Sequence, residues 1–334
     1  MIAHDAPLAL VKAWIYALGG QRQESVRFLR LAESIPHEGS LPDRTVAVES
    51  GVAILRASFG YGGVQSRVEA ARRAAELEPG ERSPWAAMVR FTVGAGLCLS
   101  GDISQARKPL EEALALTEDG QCLVRVVTLS FLPFVATDEG HLEEAESRAR
   151  AAHALVERLR PYRIPQTSLA PIALGRALAE RGKLEEAEKE LESGLSARRR
   201  LPGLSPWPTL IGLLALAPVR GTRGNRAGGR AALAEARAIL KAFPDAGIFP
   251  EILERQERKL RARRPREGQL DGELTKRELD VLRLLSGELS TRQMAESLYV
   301  APSTVRTQVK SIYRKFGVSS RGAAVEEAHA RGLI

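Results

Sequence analysis

Cysteine and histidine are scarce in this sequence of 334 residues. Two cysteines, Cys98 and Cys122, are too few for a disulfide framework, and both sit in apolar helical context that suits a core. The five histidines are scattered, so no zinc site can be drawn. No apolar run approaches the roughly 18 residues of a membrane span, and no signal peptide opens the chain. Catalytic groupings are missing as well. There is no paired-carboxylate motif, no Ser/His/Asp or Cys/His constellation and no Gly-x-x-x-x-Gly-Lys-Ser/Thr phosphate loop. The nearest dipeptide, Gly182-Lys183, has Ala177 where the upstream glycine belongs and is followed by Leu184. An enzyme and a bound cofactor are therefore not expected.

What is present is basic charge and a repeat. The net charge is +8 and the pI about 9.8, a balance that suits a nucleic-acid partner, and the length predicts about two domains. Residues 1 to about 260 read as helical throughout. Glycines 20, 63, 101, 140, 182 and 224 stand 43, 38, 39, 42 and 42 residues apart. The clearest copies of the unit are Gly140-His141-Leu142-Glu143-Glu144-Ala145-Glu146 and Gly182-Lys183-Leu184-Glu185-Glu186-Ala187-Glu188. This steady period predicts helical hairpins whose first, apolar helices span 8–18, 45–59, 84–99, 122–136, 168–180 and 206–218. Ser83-Pro84-Trp85 and Ser205-Pro206-Trp207 read as two starts with serine caps, and Ala106, Ala145 and Ala187 leave room for close packing. Such hairpins bury their faces only by stacking, which predicts an all-α solenoid with a concave surface. Trp14, Trp85 and Trp207 are expected to be packed rather than to form an aromatic cage. Arg198-Arg199-Arg200 is expected in a solvated turn.

A junction follows. Arg258, Lys259, Arg261, Arg263, Arg264 and Arg266 put six bases in nine residues, with Pro265 and Gly268 as punctuation. The expected organisation is a helical-repeat domain over 1–261, a basic linker over 262–271 and a C-terminal domain over 272–334. The linker reads either as a soluble tether or as a non-specific phosphate contact.

The last stretch carries ten Lys/Arg against seven Asp/Glu and four helix signatures. Thr275 with Glu278 and Ser290 with Gln293 are capping boxes, the first followed by Leu279, Leu282 and Leu285 and stopped at Gly287. The second helix turns Met294, Ala295 and Leu298 inward. Pro302 suits the first turn of a third helix that buries Val305, Val309, Ile312 and Phe316 and stops at Gly317. A fourth runs from about Ser320 to Arg331. The third helix turns Ser303, Arg306, Thr307, Lys310 and Arg314 outward. A helix so faced fits the major groove, where Arg306 suits guanine, Gln308 adenine and the Thr307 methyl thymine. Arg292, Ser303 and Thr304 lie at helix N-termini suited to phosphate, and Arg314 joins them as a phosphate contact.

From Leu274 to Val325 these blocks resemble the LuxR-type DNA-binding domain of bacterial transcription regulators. They are Leu274-Thr275-x-Arg277-Glu278, Ala295-Glu296-x-Leu298, Thr304-Val305-Arg306-Thr307-Gln308 and Ile312-Tyr313-Arg314-Lys315-x-Gly317-Val318-Ser319-Ser320-Arg321. The resemblance implies that Arg306, Thr307 and Lys310 lie in the groove and that the fourth helix pairs two protomers. Ala301 departs from the usual Ser/Thr cap, and Gly322-Ala323 from the polar-plus-Glu pair that opens the fourth helix. More loosely, residues 5–260 resemble the tetratricopeptide-like repeats of MalT-type regulators, without those proteins' ATPase module. The reading is a sequence-specific regulator of the bacterial cytoplasm that binds double-stranded operator DNA as a homodimer, with RNA polymerase or a regulatory protein as further partner and an unknown effector in the repeat groove. The alternative is a repeat scaffold with a vestigial helix-turn-helix.

Overall fold

The computed structural model describes residues 5–81, 83–117, 122–159, 165–200, 203–262, 274–287, 289–318 and 320–334. It divides into two compact units, Met1–Leu260 and Arg261–Ile334, and every regular element among the described residues is a helix.

The first unit is an α-solenoid of six hairpins. They are α1 (Ala6–Leu18) with α2 (Arg22–Ser34), α3 (Val48–Phe59) with α4 (Val64–Leu77), α5 (Ala86–Ser100) with α6 (Ile103–Ala115), α7 (Cys122–Asp138) with α8 (Leu142–Leu159), α9 (Leu169–Glu180) with α10 (Leu184–Arg199), and α11 (Trp207–Thr222) with α12 (Arg226–Lys241). A single helix, α13 (Phe249–Ala262), follows them. The six periodic glycines sit at the hairpin turns with φ between 72° and 112°, the left-handed region that costs glycine least. Ala106, Ala145 and Ala187 are buried where second helices press on first ones. At Gly175 in α9 the approach is so close that a methyl group would lie 2.8 Å from the Ala187 carbonyl oxygen.

The acids of the repeated motif join neighbouring hairpins. Glu146 on α8 pairs with Lys183 at 2.8 Å and Arg181 at 3.6 Å, both beside the next turn glycine. Glu188, its counterpart on α10, pairs in the same way with Arg220 at 3.0 Å and with Arg223. In these pairs the acid is largely buried and the base partly exposed. Their recurrence fixes how one hairpin sits on the next.

Four expectations change. The inner face is no open groove, because the superhelix closes on itself. The Val64 and Gln65 amides, at the start of α4, donate to the Asp245 carbonyl and carboxylate at 3.1 and 2.6 Å. The Ile248 amide reaches the Leu99 carbonyl at 3.1 Å. The serine caps differ too: Ser83 accepts from the Trp85 amide at 3.2 Å one turn before α5, while the Ser205 hydroxyl caps nothing. Pro218 does not end α11, which continues to Thr222. Burial of Leu213, Leu216, Ala217 and Val219 offsets the roughly 3 kcal/mol of an interior proline. Finally, Arg198 is not in a solvated turn. It lies on the inward face of α10 below Leu191 and Leu195 and is buried, whereas Arg199 pairs outside with Glu235 at 2.7 Å. Trp207 is fully buried, and Trp14 stacks on Trp85 with ring centres 5.5 Å apart. Cys98 is buried, which pushes its thiol up to about 12, and the Cys122 side chain lies outside the described residues.

The second unit contains α14 (Lys276–Leu285), α15 (Thr291–Ser297), α16 (Pro302–Phe316) and α17 (Arg321–Ala330) around one apolar core. Of the basic junction, Arg258, Lys259 and Arg261 belong to α13, while Arg263, Arg264 and Arg266 lie outside the described residues.

Candidate nucleic-acid interface

Local signals set the helix boundaries of the second unit. Thr275 and Glu278 form a reciprocal capping box, with the Thr275 amide donating to the Glu278 carboxylate at 2.7 Å and the Glu278 amide to the Thr275 hydroxyl at 3.1 Å. Ser290 and Gln293 do the same for α15. The turn between α15 and α16 passes through Tyr299, which holds a left-handed φ of 52° and is almost wholly exposed. Ala301 occupies the N-cap of α16 without a side-chain bond and Pro302 follows it; Gly317, with φ 70°, ends the helix. Ser320 caps α17 by accepting from the Ala323 amide at 3.2 Å. The fourth helix therefore forms despite Gly322.

The inward stripe of α16 is as the spacing predicts, with Val305, Ile312 and Phe316 buried and Val309 half-buried. Val281 completes the α14 stripe in place of the half-buried Leu279. On the opposite side of α16, Ser303, Thr304, Arg306, Thr307 and Lys310 are exposed on adjacent turns. Neither Arg306 nor Lys310 has a salt-bridge partner among the described residues. The Thr307 hydroxyl donates to the Ser303 carbonyl at 3.0 Å, so its methyl is the group left for an outside contact. Gln308, about 200° round the helix from Arg306, is half-buried on the flank and is not brought together with the others. Arg292 projects from α15 and is held loosely by Glu296 at 3.2 Å. The Arg314 side chain lies outside the described residues.

Three charged residues within the motif blocks serve the scaffold. Glu278 is buried and also accepts from Lys315 at 2.6 Å, which ties the C-terminal part of α16 to the start of α14. Burial alone would raise its carboxyl, but hydrogen bonds from Lys315, the Thr275 amide and Ser311 outweigh it and hold the group at about 2. Arg321 donates to the carbonyls of Leu285, Leu289 and Gly287 at 2.9, 2.9 and 2.6 Å, satisfying the turn between α14 and α15. No local pattern announces these roles, because the partners lie 32–37 residues away.

Among the described residues no group of three metal-ligating side chains occurs, and no helix is long and apolar enough to cross a membrane.

Comparison with known proteins places this geometry. The family of bacterial regulatory proteins described as luxR matches residues 272–328. A putative HTH-type transcriptional regulator of Mycobacterium bovis is 46% identical over 61 residues, which cover 18% of this chain and 7% of that protein. The probable transcriptional regulatory protein NarL of Mycobacterium tuberculosis is 48% identical over 61 residues, 18% of this chain and 28% of that one. The chain thus matches well under a third of the length of these relatives. Among solved structures, a Rap protein complexed with competence and sporulation factor aligns with a TM-score of 0.48 at 14% identity, covering 77% of this chain and 76% of that one. The chain carries, at 272–328, a luxR-family helix-turn-helix domain of the bacterial regulatory proteins, preceded by a solenoid of helical hairpins.

Proposed function

We propose that this protein is a transcriptional regulator that reads double-stranded DNA through α16 and is controlled through its helical repeats. The observation that carries the reading is the pair of exposed bases on α16, Arg306 and Lys310, which have no salt-bridge partner among the described residues and lie beside Ser303 and Thr307 on a luxR-family scaffold. A helix of this width enters the major groove of B-DNA with its N-terminal half against the base edges. Arg306 bridges the two acceptors of a guanine, Lys310 reaches a neighbouring base or phosphate, and the Thr307 methyl meets a thymine. Gln308 is assigned to an adenine at the margin of this footprint. Arg292, Ser303, Thr304 and Arg314 hold phosphates and set the register without carrying sequence information.

Two protomers on half-sites one helical turn apart complete the assembly, paired through α17 or through the repeats. RNA polymerase or a regulatory protein is the expected further partner. The working place is the cytoplasm, on the nucleoid when DNA is bound. No cofactor is called for.

Titration of a selected duplex with Arg306→Ala and Lys310→Ala tests the assignment. Each substitution should cost about 1–3 kcal/mol where the residue reads a base. A Lys310 that touches only phosphate loses affinity uniformly across sequences and lowers the salt slope by about one. Unchanged binding by both variants, with the fold intact, removes α16 from the groove.

A further inference from the structure

The closed interior of the solenoid holds a cavity that the DNA reading does not use. Its volume is about 110 Å³, and its walls are mostly apolar, with Trp14, Phe59, Phe91 and Phe131 among them. Into this lining the fold sets two arginines. Arg67 from α4 is 4% exposed and Arg198 from α10 is 6% exposed. Among the described residues neither has a carboxylate partner. Arg67 donates only one bond, from Nη1 to the Ser58 carbonyl at 3.3 Å, and its Nε is buried with no partner. Arg198 donates to two neutral oxygens, the Thr209 hydroxyl at 3.0 Å and the Ser205 carbonyl. Burial lowers both guanidiniums, each to about 10, which leaves them charged at neutral pH.

Further polar groups lining the same cavity are unsatisfied. The Trp207 indole N–H and the Ser205 hydroxyl are buried without partners. The indole nitrogen and the Arg67 side chain meet against Gly60, where an added methyl would lie 2.6 Å from the first and 3.2 Å from the second. Buried polar groups in folded proteins are almost always paired, and an isolated buried charge is costlier still. Two cations and two orphaned donors around one apolar cavity therefore describe a site prepared for a charge that comes from outside. Gln166, whose Nε2 donates to the Leu18 carbonyl at 3.4 Å, leaves its amide oxygen unpartnered in the same lining. Leu18, which also lines the cavity, is partly exposed to solvent.

We infer that the repeat unit binds a small organic carboxylate, its carboxylate held by Arg67 and Arg198 and its compact apolar body seated among the aromatic rings. The size fits a short branched chain rather than a six-membered ring, since the cavity is smaller than the roughly 150 Å³ that takes benzene. The planar fork of a guanidinium suits the bidentate geometry of a carboxylate. The inference deepens the proposed regulation by naming the class of effector, and its test involves no DNA, so either reading can fail without the other.

The full chain is titrated with isobutyrate and isovalerate, and with the uncharged isosteres isobutyramide and isovaleramide. All three tryptophans lie in or beside the cavity, so tryptophan fluorescence and the thermal midpoint read occupancy. At least one carboxylate should change the emission saturably and raise the midpoint, while its amide does neither. Arg67→Met and Arg198→Met should each weaken the response by about tenfold or more. The ligand-free Arg67→Met protein should melt no lower than wild type, because an unpaired buried charge has gone. Should that variant fail to fold, Arg67→Lys, which keeps the charge but loses the fork, is held to a measurable weakening instead. Silence from both carboxylates at millimolar concentration, an equal response to the amides, or undiminished binding by the arginine variants overturns the site.

Discussion

Replacing Glu278 by glutamine should unfold the second unit selectively, and the size of the effect follows from where the carboxylate sits. Glu278 is buried, caps the Thr275 amide and accepts from Lys315, itself almost buried. Its carboxyl is held at about 2 against an ordinary 4.5, a difference worth about 3 kcal/mol of folding stability. Because the folded value lies below the unfolded one, this contribution is complete above about pH 4.5 and is lost as the pH falls toward 2. Glutamine keeps an acceptor for the Thr275 amide but removes the charge that Lys315 meets, so the loss at pH 7 should again be about 3 kcal/mol. In a unit of this size that lowers the midpoint by on the order of 15 °C. The tryptophans, at positions 14, 85 and 207, are all in the first unit. Tryptophan fluorescence therefore follows the repeats alone, whereas circular dichroism follows both units. The variant should shift a dichroism transition and leave the fluorescence transition in place. A Glu278→Gln protein within about 1 kcal/mol of wild type at pH 7 would refute the reasoning.

Two further substitutions should stabilise the same unit. Ala301→Ser supplies the missing cap of α16, worth about 1 kcal/mol in chemical denaturation. Gly322→Ala adds a methyl that meets nothing within 4 Å and should strengthen α17 by about 0.5–1 kcal/mol, visible as a higher dichroism midpoint. In the repeats, Gly175→Ala drives a methyl against the Ala187 carbonyl and the Leu191 side chain at 2.8 and 2.7 Å. The α9–α10 hairpin must open to accept it, at a cost of about 1–3 kcal/mol read in the fluorescence transition. A neutral outcome there would mean that the hairpin contact is looser than its geometry implies.

What could be read from the chain beforehand was its local chemistry. Capping boxes, the period of the turn glycines and the inward stripe of α16 all depend on residues a few positions apart, and each reappears in the structure. What could not be read depends on distant partners. Glu278 looks like half of a capping box and nothing in its neighbourhood points to Lys315. Arg321 looks like a polar helix start, yet it binds three carbonyls of an earlier turn. Arg198 looks like one of three solvent-facing bases, but the phase of α10 carries it inward while Arg199 turns out. Closure of the solenoid is invisible in the repeats themselves, because it rests on Asp245, which lies outside all six hairpins and bonds a helix start 180 residues earlier. The cavity is a consequence of that closure, so an expected open groove became an enclosed site. On α16 the exposed side was legible, but Gln308 was assigned to it although it lies half-buried on the flank.

Selection of bound duplexes from a random DNA pool by the full chain tests the central claim most directly. The account predicts enrichment of one motif, two-fold symmetric with half-sites one helical turn apart, that is lost with Arg306→Ala. Folded protein that enriches no sequence even at low salt would contradict it, and would leave the chain a repeat scaffold whose helix-turn-helix does not read DNA.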